Sequence, residues 1–395
     1  MKNITLLLAI ILILTTSLLP AQETNEPKNL ASTILENKED KLNIGGYGQI
    51  DLSKPLISGN RTITSLDVSR MVLSMGYNFT DKTQFLTELE FEHVREVFVE
   101  QAFVSHYFGD LLNFRAGFLL VLMGIINEYH EPTTFNGVNR PSVDNLIVPT
   151  TWREIGAVFT GRFTNANLKY QGYIFNGFRS YDGTTGLVSG SKFLRDGRQR
   201  GARSIMSSPN FSGKIDYYGI PGVKLGLAGY AGKTESPLFN NLDKSDNVAL
   251  AIADSSIVKI IMAGLDLRYQ KGGLSLRGEA IISSVGNTPQ YNTFTGKDVG
   301  KTVNGFYAEV AYNILQFTAS DQKLTPFFRM EHYDTHFKVD AITTKEDKYN
   351  INEYLIGIGW KLADGAVLKT DIQMSKSKAD NTMKKALNAG IGVWF

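Results

Sequence analysis

From residue 42 to the end of the chain, apolar and polar residues alternate in segments of about ten, and short polar turns alternate with longer loops. A period of two puts successive side chains on opposite faces of a strand. In residues 67–79, Met71, Leu73, Met75, Tyr77 and Phe79 share one face, and Arg70, Ser74 and Asn78 the other. In residues 83–92, Phe85, Leu89 and Phe91 oppose Gln84, Glu88 and Glu90. In residues 112–118, Leu112, Phe114, Ala116 and Phe118 oppose Asn113, Arg115 and Gly117. The last segment, residues 386–395, alternates through Leu387, Ala389, Ile391 and Val393 to Phe395. The pattern predicts an all-β fold, a transmembrane antiparallel β-barrel of about 16 strands, apolar outside and polar within. A closed sheet pairs every backbone group without an edge, as lipid demands.

Every even-numbered strand should end at the periplasmic interface, where outward aromatics form a girdle. Parity assigns Phe79, Tyr107, Phe163, Tyr217, Tyr269, Tyr312, Trp360 and Phe395 to it. A soluble β-sandwich could use such aromatics in its core. It would not need alternate connections to be so short, or the aromatics at one end only. A terminal aromatic on an alternating strand also resembles the signal read by barrel-assembly machinery, so Phe395 is expected to act as an assembly signal.

One stretch, residues 119–152, breaks the alternation. Pro132, Pro141 and Pro149 exclude a central strand. Leu119, Leu120, Val121, Leu122, Met123, Ile125 and Ile126 are too apolar for a solvated tip. A loop of this length is suspect in a compact domain unless functional. The expectation is a third extracellular loop folded into the lumen, with Trp152 marking its return to the wall. Its apolar first half should lie on the wall, and residues 128–144 should border the open pore. Glu128, His130, Glu131, Arg140 and Asp144 are its candidate constriction residues. Glu128, His130 and Glu131 could together hold a divalent cation, but nothing nearby in sequence completes a ligand set. No metal or cofactor is expected.

Residues 1–21 have a charged Lys2, an apolar run over 4–19 and a small Ala21, as a cleaved signal peptide does; a retained anchor is the alternative. Residues 22–41 are polar and read as a flexible periplasmic lead-in, and residues 42–395 as one barrel domain. The chain has no cysteine, so no disulfide supports it, and a net charge of +2 gives no nucleic-acid signal. The expected location is the bacterial outer membrane, among its lipids and lipopolysaccharide.

A pore selects by diameter, charge and lining donors. Inward parity gives Arg70, Arg115, Arg162, Lys169, Arg268, Arg277, Arg329 and Lys369 on the lumen wall. Glu88, Glu90, Glu100, Glu154, Asp266, Glu279, Glu309, Glu331 and Asp371 oppose them, so the wall charges read either as a paired network or as a selectivity filter. The extracellular loop over residues 178–210 is basic, with Arg179, Lys192, Arg195, Arg198, Arg200 and Arg203 against Asp182 and Asp196. It reads equally as a mouth that concentrates anions or as a binder of lipopolysaccharide phosphates.

Several runs resemble the phosphate-selective porin O/P family. They are VEQAF at 99–103, FRAG at 114–117, Met123-Gly124, FNGVNRPSVD at 135–144, VPTTWRE at 148–154, Asn176-Gly177 and PFFRME at 326–331. The resemblance covers essentially the whole mature chain, and residues 135–154 carry it most specifically. It implies a sixteen-stranded trimeric porin with its third extracellular loop turned inward. It does not by itself imply phosphate.

The chain has no Gly-x-Ser-x-Gly, His-Glu-x-x-His or Walker sequence, and its five histidines are scattered. The expectation is a passive porin, not an enzyme, for small hydrophilic solutes, anions such as phosphate or polyphosphate first among them. A carbohydrate porin is the alternative, with inward Tyr47, Tyr173, Phe175, Tyr230, Tyr307, Phe327 and Tyr333 offered to sugars or packed on the inserted loop. A barrel-anchored adhesin or membrane enzyme is the third reading.

Overall fold

Alternation of apolar and polar residues over ten or more positions produces strands, and the polar turns join neighbours antiparallel. The structure, a computed structural model, describes residues 29–395; the expected signal peptide and residues 22–28 lie outside them. The strands are β1 (Leu42–Pro55), β2 (Ser65–Asn78), β3 (Thr83–Glu92), β4 (Glu96–Gly109), β5 (Leu112–Leu120), β6 (Arg153–Phe163), β7 (Leu168–Phe175) and β8 (Asn210–Ile220). They continue as β9 (Val223–Lys233), β10 (Lys259–Lys271), β11 (Leu274–Gly286), β12 (Thr302–Tyr312), β13 (Lys323–Lys338), β14 (Asn350–Ala363), β15 (Ala366–Ser377) and β16 (Lys384–Trp394). Each pairs with its sequence neighbours, and β1 pairs with β16 to close the barrel. At the seam Gly46 and Phe395 exchange two backbone hydrogen bonds of 3.0 Å.

Outward side chains such as Ile215, Leu265 and Val310 are exposed, and their polar neighbours in sequence, Lys214, Asp216, Asp266 and Glu309, are buried. The barrel is therefore inside-out relative to a soluble protein, as an apolar solvent requires. Pro326 is tolerated because the β12 ladder ends at Ala311↔Phe327, so its missing N–H removes no bond there.

Seven of the eight girdle aromatics fall on the outer face as predicted, and Tyr107 does not. A bulge pairs Glu88 with Gln101 and Leu89 with Val99, so Glu100 is an extra residue. An extra residue reverses the parity beyond it. Tyr107 then pairs with lumen-side Asn113, and Phe108 takes the outer position, 61% exposed.

Residues 29–41 are not the flexible lead-in the sequence suggests. Leu30–Glu36 forms a short helix, α1, whose N-cap Asn29 accepts from Ser32 N. Leu30, Ile34 and Leu35 are buried on the inner wall, against Gly45 of β1 and Gly76 of β2. Gln84 of β3 donates to Leu35 O at 3.0 Å. The helix therefore sits within the lumen at the end where the chain enters the sheet.

Among the described residues, three more α-helices lie in loops: α2 (Ser142–Leu146), α3 (Asn247–Ser255) and α4 (Thr288–Thr295). No helix among the described residues is long and apolar enough to cross a membrane.

Candidate functional site: a lumen crossed by one loop

The segment between β5 and β6 enters the barrel. Leu119 to Met123, Ile125 and Ile126 are all buried, as their apolarity predicts. Gly124, at φ +72°, turns the chain so close to β11 that a Cβ would lie 2.2 Å from Glu279 Oε1. Only glycine has both the backbone freedom and the small size needed here. Further on, Pro132 lies over Gly392 and Val138 over Gly390, both on β16. The loop thus crosses from one wall to the other. Trp152 closes it: Val121 N donates to Trp152 O at 2.9 Å, and the indole stacks on Phe178 and packs edge-on to Phe175 and Tyr230.

The wall charges hold this loop by its backbone. Glu279 accepts from Ile125 N at 2.8 Å, Asp371 from Val138 N at 2.7 Å and Glu331 from Val143 N at 3.1 Å. Arg277 donates to Thr134 O at 2.8 Å, and Lys369 to Gly137 O at 3.0 Å and to Phe135 O. Arg329 bonds Glu331 at 2.8 Å and Glu309 at 3.3 Å, and reaches Asn139 O. A hydrogen bond to a charged group contributes about 1.5–3 kcal/mol, so this set fixes the loop firmly. Arg277 and Lys369 are thus occupied by the loop, and Arg329 by Glu309, Glu331 and the loop.

A different arrangement faces Glu128. Lys169 of β7 lies 2.9 Å from its carboxylate and Lys214 of β8 3.4 Å. Arg268 of β10 and Lys224 of β9 sit over the ring of neighbouring Tyr129, at 4.5 and 5.7 Å. Arg115 of β5 lies over Phe103. Burial alone would raise the Glu128 carboxyl, but Lys169, Lys224, Lys214 and Arg268 hold it well below the usual carboxylate range. Asp216 and Asp266 flank Lys214 at 3.7 and 3.3 Å. Lys214 and Lys224 were missed in the sequence, although their parity opposite Ile215 and Leu225 would have placed them inward. Arg162 is exposed at the end of the barrel that carries the short turns, paired in register with Lys169.

The other candidate constriction residues do not border open space. Glu128, His130, Glu131 and Asp144 are all buried. The proposed trio also separates: Glu128 turns to the lysines, Glu131 accepts from Leu30 N of α1 at 2.7 Å, and His130 faces Glu100 at 3.7 Å. Burial, with Glu279 and Glu331 beside it, pushes Asp144 well above the ordinary carboxyl range. Arg140 is half-buried and donates to His130 O at 2.7 Å. The loop positions that remain most exposed are Asn139 and Asn145.

In the basic loop between β7 and β8, Arg195 and Arg198 donate to Thr150 O at 3.2 and 2.6 Å, tying the mouth to the end of the inserted loop. Arg200 lies over Phe98, and both Arg200 and Arg203 are exposed. Burial, then the like charges of Arg195, Arg200 and Arg153, push Arg198 downward. Cations this crowded favour an anion at the mouth.

An uncharacterized protein of Aquifex aeolicus (strain VF5) is 30% identical over 368 residues, 90% of this chain and 81% of its own. This chain belongs to that protein's family. No family model matches it. Solved structures share its fold at low identity. The anion-selective porin of Comamonas acidovorans superposes with a TM-score of 0.58 at 12% identity, over 90% of this chain and 99% of that one. OmpF of Salmonella typhi gives 0.56 at 10% identity, over 90% and 97%. The trimer form of the Vibrio cholerae outer-membrane protein OmpT gives 0.52 at 9% identity, over 90% and 100%. Identities this low establish the sixteen-stranded porin fold and nothing finer.

Proposed function

We propose that this protein is an outer-membrane porin, a passive channel for small hydrophilic solutes that favours anions. The observation that carries the reading is the basic sector of the wall. Arg115, Lys169, Lys214, Lys224 and Arg268 come from β5, β7, β8, β9 and β10, and four of them act on the single loop carboxylate of Glu128. Arg115, Lys169 and Arg268 remain partly exposed, Lys214 and Lys224 are buried beside Asp216 and Asp266, and the net positive field of the sector lowers the barrier to an anion. The Arg200 and Arg203 mouth would draw anions toward it. Phosphate and polyphosphate are the finer proposal, supported by the resemblance to the phosphate-selective porin O/P family. An apolar belt and a girdle at one end support the outer membrane as its location, with Phe395 read by the assembly machinery and lipopolysaccharide around the mouth. A homotrimer is proposed on the same resemblance and on the trimeric Vibrio neighbour.

The sugar reading loses its main support, because Tyr47, Tyr173, Phe175, Tyr230, Tyr307, Phe327 and Tyr333 are all covered. Planar-bilayer recording of the purified protein tests the proposal. Stepwise conductance, a reversal potential of anionic sign in a salt gradient, and block by phosphate but not by maltodextrin are expected. A barrel that gives no steps, and liposomes that do not swell in small sugars, would instead fit an adhesin or membrane enzyme.

A further inference from the structure

The inserted loop meets the acidic side of the wall at one point. There His130 of the loop, Glu88 of β3 and Glu100 of β4 each bring a ligand atom within 4.8 Å of the other two. All three side chains are buried, at 3%, 1% and 0% exposure. The β4 bulge makes this possible, since the extra residue turns Glu100 into the lumen beside Gln101.

The outer atoms of the set are fixed. Tyr47 donates to Glu100 Oε2 at 2.7 Å, Gln101 to Glu88 Oε2 at 2.7 Å and Ser74 to Glu88 Oε1 at 3.1 Å. The inner atoms are not: Glu100 Oε1 and both nitrogens of His130 have no hydrogen-bond partner. Glu100 Oε1 and His130 Nε2 face each other at 3.7 Å. The nearest guanidinium, Arg153, lies 3.6 Å from Glu100 Oε1, but its closer partner is Glu90 at 3.1 Å. Buried polar atoms without partners are rare in folded proteins and point to an ion or water between them.

We propose that Glu88, Glu100 and His130 form a divalent-metal site of the zinc type, which clamps the inserted loop to the β3–β4 wall. One imidazole and two carboxylates are a donor set that zinc accepts, with water in the fourth place. Metal–ligand bonds of about 2.0–2.2 Å would require the three side chains to draw in slightly. His130 is the only loop ligand, so the metal crosslinks loop to wall without touching the Glu128 cluster.

The test uses the purified, folded, full-length protein, stripped with EDTA. Zn2+ is supplied both after folding and during refolding, and bound metal is measured after dialysis. The expected result is one Zn2+ per chain and a higher melting temperature with Zn2+ than with EDTA. His130→Ala and Glu88→Gln should each weaken binding by more than the roughly 10–100-fold lost with an outer-shell partner. His93→Ala, which removes an exposed histidine paired with Asp67, should leave binding intact. Heat-modifiable migration checks that each variant has folded. Folded wild-type protein that retains no Zn2+ by either route overturns the proposal. So does a site lost with His93 and kept without His130. Ion selectivity is read separately, so failure here leaves the porin reading standing.

Discussion

At the scale of residues, one loop carboxylate sits where an anion would be drawn. Glu128, with Asp216 and Asp266 of the wall, neutralises part of a cluster that contains Lys169, Lys214, Lys224 and Arg268. Replacing it by glutamine keeps the shape and removes the charge. Glu128→Gln should raise the anion-to-cation permeability ratio at least about twofold, which is only about 0.4 kcal/mol. Reversal potentials in a salt gradient measure it, and an unchanged ratio would place Glu128 outside the conduction path. Much of this chemistry was legible from parity: Arg115, Lys169 and Arg268 were assigned inward correctly. What each inward charge contacts was not. Lys369 reads as an inward cation, paired on the wall or selecting ions, yet it lies over Phe135 and serves carbonyls more than 230 positions away in sequence. Alternation reports which face a side chain is on, and says nothing about which part of the loop will meet it. The glutamate that completes the metal site was legible for another reason, since adjacent polar Glu100 and Gln101 between Val99 and Ala102 are a local mark of a bulge.

At the scale of elements, strands were read well because their period is local, whereas α1 was missed because its reason for folding is distant. Seven residues are too few for a stable isolated helix, and Leu30, Ile34 and Leu35 gain burial from the distant wall of β1–β3, with the inserted loop bonded to the helix start. Burying such side chains contributes roughly 1.5–3 kcal/mol each, which is enough to hold the helix and irrelevant to closure of the sheet. Deleting residues 29–37 should therefore leave a heat-modifiable, fully β barrel whose single-channel conductance is higher. Deleting residues 131–141 from the inserted loop should raise conductance more and weaken selectivity, because that segment covers β12, β15 and β16 from within. Lys369, Arg329 and Asp371 would lose their backbone partners but gain water, so assembly should survive. Unchanged conductance in the folded loop deletion would mean that ions travel elsewhere.

At the scale of the whole molecule, the sheet fixes a tube, and whether its long-loop end is covered depends on contacts among loops far apart in sequence. Asp298, between α4 and β12, joins three of them: it accepts from Gly190 N at 2.9 Å and from the Tyr349 hydroxyl at 2.7 Å. Tyr291 of α4 adds a bond from its hydroxyl to Ser180 O at 2.7 Å. Burial alone would raise the Asp298 carboxyl, but the bonds from Tyr349 and Gly190 outweigh it and leave it lowered. A carboxyl lowered in the folded state stabilises that state at every pH above its unfolded value, near 3.9. The contribution is lost as pH falls through the folded value, below that point. Acidification through this range should thus release the Gly190 and Tyr349 loops while the barrel stays closed. Hydrogen exchange of residues 188–193, corrected for the intrinsic effect of pH, should speed up there and remain slow in β10. Asp298→Asn should show the faster exchange already at neutral pH and lose this acid step. If the variant keeps a slow, acid-sensitive mouth, another group holds the loops together, and Asp298 is a bystander in their contact.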